Sequence, residues 1–265
     1  MKSFFKLASI TLQGRMYYRI GFLLNLFTPL VVLAGQFLLW SSLYGGEADA
    51  EFAGYTRGIM FTHMLFSFCI NNLLNWSSEN TLSREILSGS VVARCVRPAS
   101  FLNQSMASFF GNILPQSIVN FSVCLLALLV FRRFFVLPSP AVVPLFLCSL
   151  VLAVLLRMLL VHVFSLLCFY TTSHLGISWT RRALNDLFSG AIIPLALFPG
   201  WLQTVSFYQP FPFMLQIPLS ILLGQDLPMP VYQTFLVQIL WIGFFLLLHR
   251  LIYGHVRKNM TFAGG

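Results

Sequence analysis

The chain has 265 residues, of which 58% are hydrophobic and only 9% are charged. An ordinary soluble domain carries about 25% charged residues, so this chain cannot cover a soluble core with a charged surface. The composition excludes a soluble globular protein and indicates an integral membrane protein.

Six segments are apolar enough to cross a bilayer, which takes about 20 mostly apolar residues. His63, Asn71 and Asn72 weaken the second of them. Residues 1–20 come before the first span and predict an amphipathic helix lying in the cytoplasmic headgroup region. The sequence therefore predicts one all-α transmembrane domain over residues 1–265, with spans at residues 21–44, 58–76, 105–131, 141–170, 184–203 and 231–249.

The distribution of lysine and arginine predicts the orientation. Six spans place both termini on one side, and if that side is the cytoplasm, twelve of these basic residues lie inside. Only Arg57, Arg132 and Arg133 lie outside, in agreement with the positive-inside rule. The net charge of +9 then faces anionic membrane lipid, and no nucleic-acid partner is expected.

The sequence offers no candidate catalytic residue. None of the seven aspartates and glutamates lies deep in a predicted span, so there is no buried carboxylate pair. A phosphate-binding loop needs Gly-Lys-Ser/Thr, and no lysine of this chain follows a glycine. The five cysteines lack the close Cys/His spacing of a metal site. We expect the chain to bind no metal and no cofactor of its own.

Residues 77–104, between the second and third spans, are half polar. The stretch SSENTLSREILSG places Leu82 and Ile86 on one face of a short helix that ends near Gly89. Two interpretations are open. The helix rests its apolar face on lipid, or it is a cytoplasmic lever whose exposed residues enter a cleft of an ATPase subunit.

A second unusual region contains seven of the 13 prolines, between residues 194 and 230. Its piece from Pro212 to Leu223 is too short to cross a membrane, and irregular backbone there must be shielded by protein or water. One interpretation is a kinked span with an aromatic belt. The other is an extracellular re-entrant hairpin over residues 204–230, with an extracellular gate formed by Pro199, Trp201, Pro210, Phe211, Pro212 and Pro218.

Arg157 lies near the middle of the fourth span, where an arginine normally faces the interior of the helix bundle or water. Its expected partners are backbone carbonyls, polar side chains, a sister subunit or the cargo. Either it is a structural residue or it faces the translocation path or a dimer seam. The polar side chains considered are Gln36, Gln116 and Asn120.

The order of these features resembles the type-2 permease family of ATP-binding-cassette (ABC) exporters, particularly its compact drug and antibiotic exporter branch. The resemblance is most specific over Ile86–Pro98, which is similar to an Ile-Leu-x-Gly…Arg-Pro pattern, and over Gly190–Gly224. Cys95 and Val96 depart from the leucine-like residues expected before Arg97 and Pro98. That departure bears on which ATPase or sister permease is accepted.

The resemblance implies a permease subunit of the bacterial cytoplasmic membrane that moves a drug, peptide antibiotic or other amphipathic cargo outward. Separate ATPase subunits would bind Mg-ATP, and two permeases would form a homodimer or a heterodimer. ATP-driven closure of the ATPases would move a coupling helix around residues 84–89. The expected coupling residues are Arg84, Glu85, Ile86, Leu87, Ser88, Gly89, Arg94, Arg97 and Pro98.

Two alternatives from other classes remain at this stage. A secondary transporter would normally have a membrane-embedded carboxylate or broken helices in both halves, whereas the breaks here lie in the second half alone. A membrane scaffold or toxin-immunity protein would not stimulate an ATPase.

Overall fold

The computed structural model describes residues 31, 33–45, 51–52, 54–74, 79–97, 100–130, 132–136, 138–171 and 173–259. The predicted interfacial helix at residues 1–20, most of the first half of the predicted first span and Pro98 lie outside the described residues. The side chains of Gln116 and Asn120 also lie outside them.

The described chain is mostly helical. A short antiparallel hairpin of strands β1 (Glu51–Phe52) and β2 (Tyr55–Thr56) is a small exception to the all-α prediction. The helices in chain order are α1 Leu33–Leu43, α2 Arg57–Leu74, α3 Glu79–Leu87, α4 Val92–Cys95, α5 Phe101–Val130, α6 Val143–Leu166, α7 His174–Phe188, α8 Gly200–Phe207, α9 Gln216–Leu223 and α10 Val231–Asn259.

Two helical stretches in the described part are long and apolar enough to cross a membrane, Pro140–Phe169 and Val231–Arg257. They include α6 and most of α10, two helices that pack together more extensively than any other pair of described elements. α10 continues well beyond residue 249, where the sequence predicts the span to end. It continues because Ile252 and Val256, one turn apart, keep facing the protein while His255 between them is exposed.

The predicted fifth span, residues 184–203, is not one continuous helix. α7 ends at Phe188, and α8 begins only at Gly200. Pro194 and Pro199 lie between the two helices, and proline interrupts a helix because it lacks a backbone N–H and crowds the preceding turn. α7 has 15 residues and is about 22 Å long, shorter than the roughly 30 Å apolar core of a bilayer. α7 alone is therefore too short to be the fifth span.

The proline-rich segment, defined here as residues 189–230, enters the centre of the fold. Helix α9 packs against α6 and α2, and the residues from Gln216 to Leu222 are all buried. The 3-10 turn at Pro212–Met214 is also buried and contacts α6 and α10. Protein side chains therefore surround α9 and this 3-10 turn.

The molecule has two ends. At the hairpin end, the turn at Arg132–Phe134 contacts α2, and residues 224–228 lie across a cavity from the β-hairpin. At the α3 end, α3 contacts α6, α7 and the 3-10 turn at Leu167–Phe169. α7 begins at the α3 end, while α8 lies beside the cavity at the hairpin end.

Gly190 provides a test of the packing around the proline-rich segment. It has φ of 78°, and a Cβ added there would overlap Oε1 of Gln216. Gly224 has φ of 63° but open space around an added Cβ, so it is a matched control for backbone strain alone. Gly224→Ala should lower the free energy of unfolding by about 1–2 kcal/mol.

Gly190→Ala should lower that free energy by about 1–3 kcal/mol more, because the added methyl group also overpacks the core. Denaturant unfolding in mixed micelles measures both variants. Equal losses for the two glycines would show that Gln216 does not lie against Gly190.

Candidate functional site

The apolar face of α3 is covered by protein. Leu82 and Ile86 are 4% and 8% exposed and belong to a cluster with residues that follow α3 and residues at the end of α6. The hypothesis that this face rests on lipid is therefore wrong. The other members of the cluster are Val91, Phe101, Leu166 and Cys168.

A two-point ion pair joins α3 to α4. Arg94 donates from Nη2 to Oε1 of Glu85 over 3.0 Å and from Nε to Oε2 of the same carboxylate. The backbone carbonyl of Arg94 accepts a hydrogen bond of 2.8 Å from Nε2 of Gln104 at the start of α5. Glu85 and Arg94 bind each other, and the pair positions α4 against α3. Their expected contact with an ATPase stays a prediction.

The opposite side of the same segment is exposed and mixes basic with apolar side chains. Arg84, Val96 and Arg97 are exposed, with Val96 at 79%. The turn after α3 has φ of 75° at Gly89, a conformation that favours glycine. We call this the α3–α4 surface; it consists of Arg84, Leu87, Ser88, Gly89, Val92, Val96 and Arg97.

Arg157 is 2% exposed and donates a hydrogen bond from Nη1 to Oδ1 of Asn185 on α7. Asn185 in turn donates from Nδ2 to Oδ1 of Asp186 over 3.3 Å. Asn185 was not among the predicted partners, of which only Gln36 has a described side chain. Asn185 is a polar side chain, as expected, but the sequence did not name it, because the predicted span begins at residue 184 and places Asn185 near a membrane surface.

The structure instead begins α7 at His174, so that Asn185 lies about 16 Å along the helix, beside the middle of α6. The signal for this start is Ser173, whose Oγ accepts a hydrogen bond of 3.3 Å from the backbone N–H of Gly176. Serine is a favoured N-cap residue, and this cap could have been found in the sequence.

Hydrogen bonds hold the chain where it leaves α7. His63 on α2 lies 3.2 Å from the carbonyl oxygen of Gly190 through Nε2. The backbone N–H of Gln216 donates to the carbonyl of Ser189 over 3.1 Å, and its side-chain Nε2 donates to Oη of Tyr55 over the same distance. The start of α9 is thereby joined to α2, to the end of α7 and to β2.

A second polar contact holds the deepest part of the proline-rich segment. Gln238 on α10 is fully buried and donates from Nε2 to the carbonyl oxygen of Phe213 over 2.8 Å. The same amide lies 3.0 Å from Oγ of Ser149 on α6. One side chain therefore joins α10, α6 and the buried 3-10 turn.

The six predicted gate residues do not lie together. Pro210, Phe211, Pro212 and Pro218 are buried in the core. Pro199 and Trp201, by contrast, are exposed where α8 begins, with Trp201 at 70%. The sequence did not single out Gln216, Gln238 or Tyr55, although the first two are isolated amides in apolar runs, which marks them as candidates for buried polar contacts.

A cavity of about 530 Å³ opens at the hairpin end. Its walls come from the β-hairpin, the residues just before α8, α8 itself, α9 and residues 224–228. Two parts of the proline-rich segment line this cavity: Gln203 and Phe207 in α8, and Gln225 and Asp226 after α9. Residues 203–228 therefore begin and end at the same end of the molecule.

Comparison with known families gives one match over nearly the whole chain. Residues 30–264 match a family model described as ABC-2 family transporter protein. Among curated proteins, none matches the chain.

The pair of Arg157 and Asn185 predicts a non-additive double-mutant cycle. Asn185→Leu removes the acceptor of this hydrogen bond from a buried guanidinium, which should cost about 2 kcal/mol in the free energy of unfolding. Arg157→Leu should also destabilise, because it leaves a buried amide without this donor. The double variant should lose clearly less than the sum of the two single losses, as measured by denaturant unfolding in micelles. Additive losses would contradict a direct interaction.

Proposed function

Because the chain belongs to the ABC-2 family of transporter proteins, we propose that it exports an amphipathic cargo from the bacterial cytoplasm, driven by a separate ATPase. Members of this family are membrane components of ABC transporters without an ATPase domain of their own, and they generally work with ATPase subunits. The match to this family leaves the secondary-transporter and scaffold alternatives without support.

The packing of α3 is the observation that carries the proposal. A helix that rested on lipid would direct its apolar residues away from the protein, whereas Leu82 and Ile86 are buried in it. The α3–α4 surface is left exposed, and its two arginines with their apolar neighbours form a docking surface for another protein. Arginine and apolar side chains are typical of the centres of protein interfaces.

α6 provides the route by which movement at this surface would reach the rest of the permease. It contacts α3 at one end and α9 nearer the other, and α10 packs beside it. A displacement of α3 by an ATPase that binds and hydrolyses Mg-ATP would therefore act on the proline-rich segment through one helix. Glu85 and Arg94 would keep α4 moving with α3.

The proposed topology keeps six spans with both termini in the cytoplasm. α7 would rise from the cytoplasmic α3 end to the middle of the bilayer, and residues 189–199 would complete the fifth crossing as irregular backbone. Such backbone is tolerated inside a membrane where protein covers it, and the contacts of His63 and Gln216 support that reading. α9 would then form a re-entrant hairpin from the extracellular side.

Arg157 has a structural role in this proposal. Its hydrogen bond to Asn185 joins α6 to α7 at the depth where α7 ends, and a charge at that depth needs a polar partner. A second permease would complete the transporter as a homodimer or a heterodimer.

Shortening side chains on the α3–α4 surface should uncouple the ATPase without affecting insertion. For the double variant Arg84→Ala/Leu87→Ala we expect about a tenfold loss of cargo-stimulated ATP hydrolysis, because removal of a central interface anchor typically costs more than 1 kcal/mol. The measurement is ATPase activity of the permease reconstituted with its ATPase in liposomes.

Arg250→Ala is the matched control, because Arg250 is an exposed arginine on α10 outside the α3–α4 surface. It should leave stimulated hydrolysis unchanged. Normal coupling in the Arg84→Ala/Leu87→Ala variant would contradict the assignment of this surface to the ATPase.

A further inference from the structure

The cavity at the hairpin end carries an uneven distribution of charge. Glu51 and Asp226 are its only charged lining residues among those that the structure describes, and both are exposed. Neither carboxylate forms an ion pair with a described residue. The described lining of the cavity therefore carries two acidic side chains and no basic one, a distribution that favours cations.

Neutral hydrogen-bonding groups form another part of the cavity wall. Gln216, which is 4% exposed, donates from Nε2 to Oη of Tyr55 and to Oγ of Ser220 over 3.2 Å. Its Oε1 accepts no hydrogen bond from any described residue. Burial raises the pKa of the Tyr55 phenol, so that this group stays neutral near pH 7. Oε1 of Gln216 lies against Gly190, whereas Tyr55 and Ser220 give the cavity wall neutral hydrogen-bonding groups.

The remaining wall of the cavity is apolar. Leu195, Phe207, Ile217 and Leu227 line it beside the polar groups. A cavity of about 530 Å³ lies within the range of sites that hold drug-sized molecules, which combine apolar walls with a few polar groups.

We propose that this cavity binds a cationic amphipath, a molecule with a protonated amine and an apolar body. The amine would bind the carboxylates of Glu51 and Asp226, and the apolar body would lie against Phe207 and Leu227. The proposal of a binding site rests on the cavity and its lining residues alone. The further statement that its occupant is the exported cargo rests on the proposed function, and it names the class of that cargo.

The test uses the full-length permease, without its ATPase, in nanodiscs of zwitterionic lipid. Dansylcadaverine has an apolar fluorophore and a primary amine, and its N-acetyl derivative lacks the charge. After subtraction of the signal from empty nanodiscs, fluorescence titration should show saturable binding of the amine and at least several-fold weaker binding of the acetylated probe.

Neutral variants identify the groups responsible. Glu51→Gln/Asp226→Asn should weaken binding of the amine by roughly tenfold, because each partly exposed charge pair accounts for a few-fold in affinity. Asp226→Asn alone should give a smaller loss. Asp186→Asn removes a carboxylate outside the cavity and should have no effect. Size-exclusion profiles check that all variants fold.

Equal affinity for the two probes, or unchanged binding by the double variant, would overturn the proposal. An equal loss in the Asp186→Asn control would also overturn it, since the effect would then be one of net charge. Because no ATPase is present, these outcomes are independent of coupling at the α3–α4 surface, and either hypothesis can fail while the other holds.

Discussion

The fold depends on one constraint: irregular backbone inside a membrane must find its hydrogen bonds within the protein. After Phe188 the chain stops being helical in the interior of the bundle and does not form a long helix again until Val231. Three backbone carbonyls along this stretch have hydrogen-bond partners in the protein. Gly190 is paired with His63, Ser189 with the backbone N–H of Gln216, and Phe213 with Gln238. α2, α9 and α10 are thereby held around α6.

This arrangement places α6 at the centre of both proposed functions. One end of α6 supports α3, whose exposed face we assign to the ATPase, and the other part supports α9, which lines the cavity at the hairpin end. The cavity and the α3–α4 surface lie at opposite ends of the molecule. Under these proposals, a movement at one end would act on a bound molecule at the other through packed helices.

The sequence predicted those features that depend on local composition and failed on those that depend on distant contacts. The membrane class, α6 and the short helix ending near Gly89 follow from hydropathy and helix signals along the chain. The partner of Arg157 did not, because Asn185 reaches it only after α7 begins ten residues before the predicted span. The pairing of Gln216 with Tyr55, 161 residues apart, has no local signal. An isolated amide in an apolar run predicts a buried polar contact at that position, but it does not predict which residue is the partner.

The central claim is that residues 204–230 enter and leave through one membrane face as a re-entrant hairpin, and labelling of introduced cysteines tests it most directly. In a background without the five native cysteines, single cysteines replace Gln209 or Gln225, and Ser88→Cys on the α3–α4 surface serves as the opposite-side control. An impermeant maleimide added to intact cells should label the first two variants and should label Ser88→Cys only after permeabilisation. Labelling of Gln209→Cys or Gln225→Cys from the cytoplasmic side alone would contradict the account.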